Sequence, residues 1–138
     1  MKPAISTVCS LHASLESILE GYAAGQCRSV ELWLGHAEQY LDGRPPEVLA
    51  ELLSKHCCEP VAATFQGGLL TSQGDARREH WSHFESRLAL CSAVSIPTLI
   101  LAGDVHGSLS PEDLGGLSTS LVEAAKRAAD AGVRLALE

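Results

Sequence analysis

The chain has 138 residues, 46% of them apolar and 20% charged, with a net charge of −7 and a pI near 5.3. Residues 1–138 read as a single domain of ordinary globular composition, large enough to bury roughly two thirds of its unfolded surface. The acidic balance argues against a nucleic-acid partner, which needs a basic face, and no apolar run approaches the ~20 residues of a membrane span.

Met1-Lys2-Pro3 leads into a short apolar segment and not a secretory h-region. The five cysteines, Cys9, Cys27, Cys57, Cys58 and Cys91, form no CxxC pair, and the adjacent Cys57 and Cys58 suit an ordinary disulfide poorly. They read as reduced, mostly buried thiols of a cytoplasmic protein.

Two hydrophobic periods alternate along the chain. Residues 4–9, "AISTVC", predict a first strand. A helical stripe follows over residues 14–24, carried by Leu15, Ile18, Leu19, Tyr22 and Ala23, with Gly25 as its stop. "RSVELWL", 28–34, predicts the second strand; then comes a loop, and Pro45-Pro46 opens a helix with Val48, Leu49, Leu52, Leu53 and His56 on one stripe. "PVAATF", 60–65, predicts the third strand, followed by a polar loop over 66–75.

Trp81, Phe84, Leu88 and Cys91 recur at spacings of three and four and predict the third helix. "TLILAG", 98–103, is the fourth strand. "SPED", 110–113, places serine at an N-cap, proline at N1 and an acid at N3. The helix it opens points Leu114, Leu117, Leu121, Ala124, Ala125 and Ala128 inward and ends at Gly132. "VRLALE", 133–138, is the fifth strand.

Four β-α units and a further strand imply right-handed crossovers and a parallel sheet. Two architectures fit: an open five-stranded parallel α/β sheet, which length alone favours slightly, and a partial (β/α)8 TIM barrel. In both, ligands bind at the carboxyl ends of the strands. Polar groups collect on that rim: His12 after strand 1; Glu31, Trp33 and His36 around the end of strand 2; Gln66 before Gly67-Gly68; Asp104 and His106 after strand 4; and Glu138 at the tip of strand 5.

Each has a plainer reading. Glu31, between Val30 and Leu32, reads more plainly as a solvated residue of an edge strand, but in a sheet covered on both faces a mid-strand carboxylate needs a partner, which favours the rim role. Gly67-Gly68 lacks the GK[ST] of a phosphate loop and reads as a turn. Asp104-x-His106 has metal-pair spacing but more often marks a loop. His80 and His83 lie on a charged helix and read as a solvated face, and His56 complements a helix C-terminus.

The runs "SVELWLGHAEQYL", "EPVAATFQGGLLTS", "TLILAGDVHGSLSPEDL" and "AADAGVRLALE" resemble, in order, the sugar phosphate isomerase/epimerase group of xylose-isomerase-like (β/α)8 barrels. The resemblance turns the expectation from the open sheet to the N-terminal portion of a barrel. It implies metal-dependent proton transfer next to a sugar carbonyl, either aldose–ketose isomerisation or epimerisation, with a divalent Mn, Mg or Zn ion.

The resemblance also makes Glu138 the first metal ligand and a catalytic group, and it makes His12, Glu31, Trp33, Gln66, Asp104 and His106 the lining of a sugar pocket. The remaining ligands of such barrels come from strands 6 to 8, which this sequence lacks. The expectation is therefore a truncated barrel, incomplete as a catalyst. It either closes its open edges by self-association or with a complementing C-terminal half, or it serves as a small-molecule binding domain.

Overall fold

The structure is a computed structural model and describes residues 3–105 and 107–138. Five parallel strands form one sheet in the order β1-β2-β3-β4-β5. They are β1 (Ile5–Ser6), β2 (Ser29–Trp33), β3 (Glu59–Gln66), β4 (Thr98–Leu101) and β5 (Arg134–Leu137). The helices are α1 (Leu15–Ala24), α2 (Leu34–Leu41), α3 (Glu47–Lys55), α4 (Gly74–Ala93) and α5 (Pro111–Asp130).

Sequence order and spatial order coincide, so the winding never reverses. Right-handed crossovers then put every helix on the same face of the sheet. A doubly wound sheet reverses its strand order and covers both faces. This arrangement is that of a partial (β/α)8 barrel, with the other face open and concave.

The core lies between sheet and helices. Val30, Leu32, Ala63, Leu99 and Leu101 point from the strands to Leu19, Leu49, Phe84, Cys91 and Ala124, all at most 1% exposed. The predicted stripe Trp81, Phe84, Leu88 and Cys91 is buried as its spacing requires. Burial pushes the Cys91 thiol up to about 12, so it behaves as a small apolar group.

The predicted capping box forms at α5. Ser110 accepts from the Asp113 N–H at 3.1 Å, and the Asp113 carboxylate accepts from the Ser110 N–H at 2.9 Å.

Four expectations need correction. The first strand stops at Ser6, and Thr7–Ser10 form a 3-10 turn. The cause is local: the fully buried Thr7 hydroxyl accepts from the Trp33 N–H at 2.8 Å and takes over from the backbone ladder. Residues 34–41, expected as strand end and loop, form α2, with Leu34, Ala37 and Leu41 buried.

In α5, Ala124 and Ala128 are buried, but Leu114 is 51% exposed and Ala125 is exposed too. The first turns of this helix overhang the sheet. Of the five thiols only Cys58 and Cys91 are buried.

Each turn from helix to strand repeats one device. Gln26, Cys57, Ser95 and Gly132 adopt positive φ of 61°, 51°, 60° and 72°. The next residue then returns a 6→1 hydrogen bond to the helix: Cys27 N–H to Tyr22 C=O, Cys58 to Leu53, Ile96 to Cys91 and Val133 to Ala128, at 2.8–2.9 Å. These are Schellman closures. They aim each chain back under the helix layer and into its strand.

Candidate functional site

Alternation along β2 decides which residues face the open side. Val30 and Leu32 are fully buried under the helices, so Glu31 and Trp33 face the concave side. Glu31 pairs in register with Ser6 on β1 and Ala62 on β3, two small neighbours that leave space around the carboxylate. At the other edge, the ladder runs past β5. The Glu138 N–H donates to Leu101 C=O and its own C=O accepts from the Gly103 N–H, both at 2.9 Å.

These groups meet in one cleft of about 660 Å³. Glu31, Trp33 and Glu138 line it together with Ser6 and Thr64, and its apolar surface comes from Val8, Leu11, Phe65 and Ala102. Two carboxylates, two hydroxyls and an indole beside apolar patches make a surface suited to a small polyhydroxylated molecule. Carboxylates accept hydroxyl protons, and an aromatic face covers C–H groups.

The indole is set by its own backbone. A Cβ at Gly35 would come within 2.7 Å of the Trp33 ring, so the ring lies where only glycine leaves room. The His36 ring meets it edge-on, with centroids 4.8 Å apart and planes at 85°.

The remaining sequence candidates lie elsewhere. Gln66 is 2% exposed and does not line the cleft; its amide donates to Gly67 C=O at 2.8 Å, and its oxygen accepts from Arg87 at 3.3 Å. Asp104 has a φ of 51° and accepts from the Gly68 N–H, tying the end of β4 to the loop after β3. His12 belongs to a separate cleft of about 440 Å³, shared with His36, Gln39 and Tyr40. His36 is itself 2% exposed, and its Nε2 donates to Leu11 C=O at 3.3 Å. His106 lies outside the described residues.

His80 and His83 are not one solvated face. His83 stays exposed and bonds Glu38 at 3.0 Å, while His80 is half-buried with its ring against Gly68.

The residues of the cleft that sequence reading missed are Ser6, Thr64, Phe65, Val8, Leu11 and Ala102. Thr64 and Phe65 directly precede Gln66, so the cleft takes the two residues before the end of β3 and not Gln66 itself.

Behind Phe65 stands a half-buried brace. Arg87 Nη1 donates to Phe65 C=O at 2.7 Å, and its other nitrogens grip Glu38. Burial pushes the Glu38 carboxyl up, but hydrogen bonds and charge from Arg87, joined by His83, outweigh burial and hold it below its usual value.

A divalent metal needs three or four protein ligands. Among the described residues no group of three or more His, Cys, Asp or Glu side chains converges to hold one. Glu31 and Glu138 are two carboxylates on one cleft, so these residues do not make a metal centre by themselves.

No protein-family model and no curated protein sequence matches the chain. Solved structures do. IolI, crystallised with a bound zinc atom, superposes with a TM-score of 0.86 at 20% identity, over 99% of this chain and 51% of its own. A xylose isomerase domain protein from Alicyclobacillus acidocaldarius superposes at 0.81 with 15% identity, over 99% and 49%. D-psicose 3-epimerase, solved with D-fructose, superposes at 0.76 with 18% identity, over 98% and 51%. The fold is thus that of the xylose isomerase-like TIM barrels, and the chain spans about half the length of the structures it matches.

Proposed function

We propose that this chain is the sugar-binding half of a sugar isomerase/epimerase-like barrel. The observation that carries this reading is the convergence of Glu31, Trp33 and Glu138 on one cleft at the carboxyl ends of parallel strands. Glu31 and Glu138 accept hydrogen bonds from sugar hydroxyls, and Trp33 lies along the C–H side of the ring. In this reading Glu138 is the group that takes a proton from the carbon next to the carbonyl once the barrel is complete.

The zinc bound by IolI supports a divalent ion in barrels of this fold. The described residues offer too few ligands for one, so the chain by itself binds sugar and does not turn it over.

Trp33 supplies the readout. In a Trp81→Phe background it is the only indole of the chain, and titration with ketohexoses changes its fluorescence. Glu138→Gln and Glu31→Gln each weaken binding about tenfold or more, the scale of a hydrogen bond to a charged group. Unchanged fluorescence throughout the titration refutes sugar binding. Ketose turnover by the purified chain, lost in Glu138→Gln, refutes the non-catalytic half.

A second reading rests on the sheet edges. β1 and β5 each pair on one side only, and Ile5 and Leu137 are 39% and 57% exposed. Unpaired edges with apolar side chains recruit further strands. In this reading a second copy, or a chain supplying the missing units, completes the barrel. Light scattering at several concentrations tests it: a concentration-independent monomer removes self-association.

A further inference from the structure

Among the described residues three arginines are half-buried, Arg77, Arg87 and Arg127. Two of them hold carboxylates: Arg87 grips Glu38, and Arg127 bonds Glu123 and Glu85. Arg77 has no carboxylate partner among the described residues. Its Nη1 donates to Leu69 C=O at 3.2 Å and to Ser120 Oγ at 3.1 Å, and its guanidinium lies 5.2 Å from the centre of the Trp81 ring. These contacts hold the group in place without neutralising it. Its Nε and Nη2 are left without a partner among the described residues. That edge is the one a carboxylate grips with two hydrogen bonds.

Ser120 adds a second unspent donor. It is 2% exposed, its oxygen accepts from Arg77, and its own proton meets no acceptor among the described residues. Buried polar groups are as a rule satisfied, so a buried hydroxyl with a free proton calls for an explanation.

Both groups line a cavity of about 440 Å³ beneath the first turns of α5, where that helix overhangs the sheet. It shares no lining residue with the sugar cleft. Leu70, Leu109 and Leu117 give it an apolar wall, and Glu112 and Asp113 put carboxylates on it. Asp113 is committed to the cap of α5, accepting from the Ser110 N–H and hydroxyl. Glu112 is exposed and has no ion-pair partner among the described residues. Gly116 keeps the α5 side open, since a Cβ there would meet nothing within 4 Å.

We propose that this cavity binds a small zwitterion with an apolar side chain, the chemistry of a free aliphatic amino acid. The ligand carboxylate takes the Nε and Nη2 edge of Arg77 and the proton of Ser120. Its ammonium faces Glu112, and its side chain lies against the three leucines. The pairing of charges selects the ligand. A simple carboxylate or a phosphate would meet Glu112 and Asp113 as like charges, and a simple amine would leave Arg77 unanswered.

Trp81 carries the Arg77 guanidinium on its ring and reports the site. In a Trp33→Phe background it is the only indole of the chain, so the sugar cleft contributes no signal. Titration with L-leucine is expected to change Trp81 emission saturably, and calorimetry on the unsubstituted chain shows the same saturation. Isocaproate, which lacks the ammonium, and isoamylamine, which lacks the carboxylate, each bind about tenfold or more weakly, the scale of a hydrogen bond to a charged group. Arg77→Met weakens leucine by at least as much. Because Arg77→Met also removes contacts to Leu69 and Trp81, Gly116→Leu serves as a second variant. It fills the cavity from open space, in a helix where glycine is unfavourable, so the fold is kept and the leucine response is lost. Absence of saturation in both fluorescence and calorimetry overturns the site. Isocaproate binding as tightly as leucine overturns the zwitterion, and an undiminished response in Gly116→Leu overturns the location. The ligand series on the unsubstituted chain decides the first two even if a variant fails to fold.

Discussion

Arg87 and Glu38 meet through two separate nitrogens: Nε is 2.6 Å from one carboxylate oxygen and Nη2 is 2.9 Å from the other. Arg87 is only 12% exposed, and its remaining nitrogen reaches Phe65 C=O on the wall of the cleft. The pair thus joins α2 to α4 and fixes the end of β3 from behind. Bidentate geometry of this kind resists replacement by lysine.

This pair gives a pH dependence. The folded protein holds the Glu38 carboxyl below its unfolded value, so its contribution is complete above about pH 4.5. It is lost as pH falls through the folded value. Arg87→Met is expected to cost about 2 kcal/mol at neutral pH, the scale of a charged hydrogen-bonded pair. The gap in Tm between wild type and variant narrows below pH 4. A gap that stays constant from pH 7 to pH 3 contradicts this assignment.

Gly35 gives a test that separates site from scaffold. A Cβ there lies 2.7 Å from the half-exposed Trp33 ring. In Gly35→Ala the indole must move, while the helix gains propensity. Trp33 emission shifts and ketohexose affinity falls several-fold, with little change in Tm. A large fall in Tm with unchanged emission means that the strain is absorbed by the backbone instead.

Phe84 anchors the core at 0% exposure, with Trp81 edge-on at 5.8 Å. Phe84→Ala is expected to cost about 3–5 kcal/mol. Urea unfolding measures it directly, and a loss below 1 kcal/mol means the helix layer collapses to refill the space.

The cap at α5 is a smaller effect. Ser110→Ala removes one half of the capping box and is expected to cost about 1 kcal/mol. The overhanging first turns are where it shows, as faster amide exchange over residues 111–117.

The long periodic elements were legible because burial imposes their spacing, as with Trp81, Phe84, Leu88 and Cys91 in α4. Glu31 was legible as well, since a carboxylate between Val30 and Leu32 can only face the side without helices. α2 was missed because it follows β2 with no intervening residue, so Leu34 reads as the end of the strand and Ala37 and Leu41 fall in the expected loop. Three of the four Schellman closures were hidden because Gln26, Cys57 and Ser95 stand where glycine is expected; tertiary packing holds these residues at positive φ despite their side chains.

The end of β1 was hidden for another reason. The Thr7 hydroxyl substitutes for a backbone partner, and a β-branched residue gives no local sign of that role. Phe65 escaped notice because an aromatic at a strand end reads as core, yet it is 48% exposed.

The uninterrupted strand order makes the sheet a gutter with a single wall. A molecule resting in it touches protein on one flank and water on the other. For the sugar-like guest proposed above, that shape implies fast exchange and loose discrimination between similar polyols. Whatever supplies the opposite wall would tighten affinity and sharpen selectivity together, because both depend on how much of the guest is enclosed.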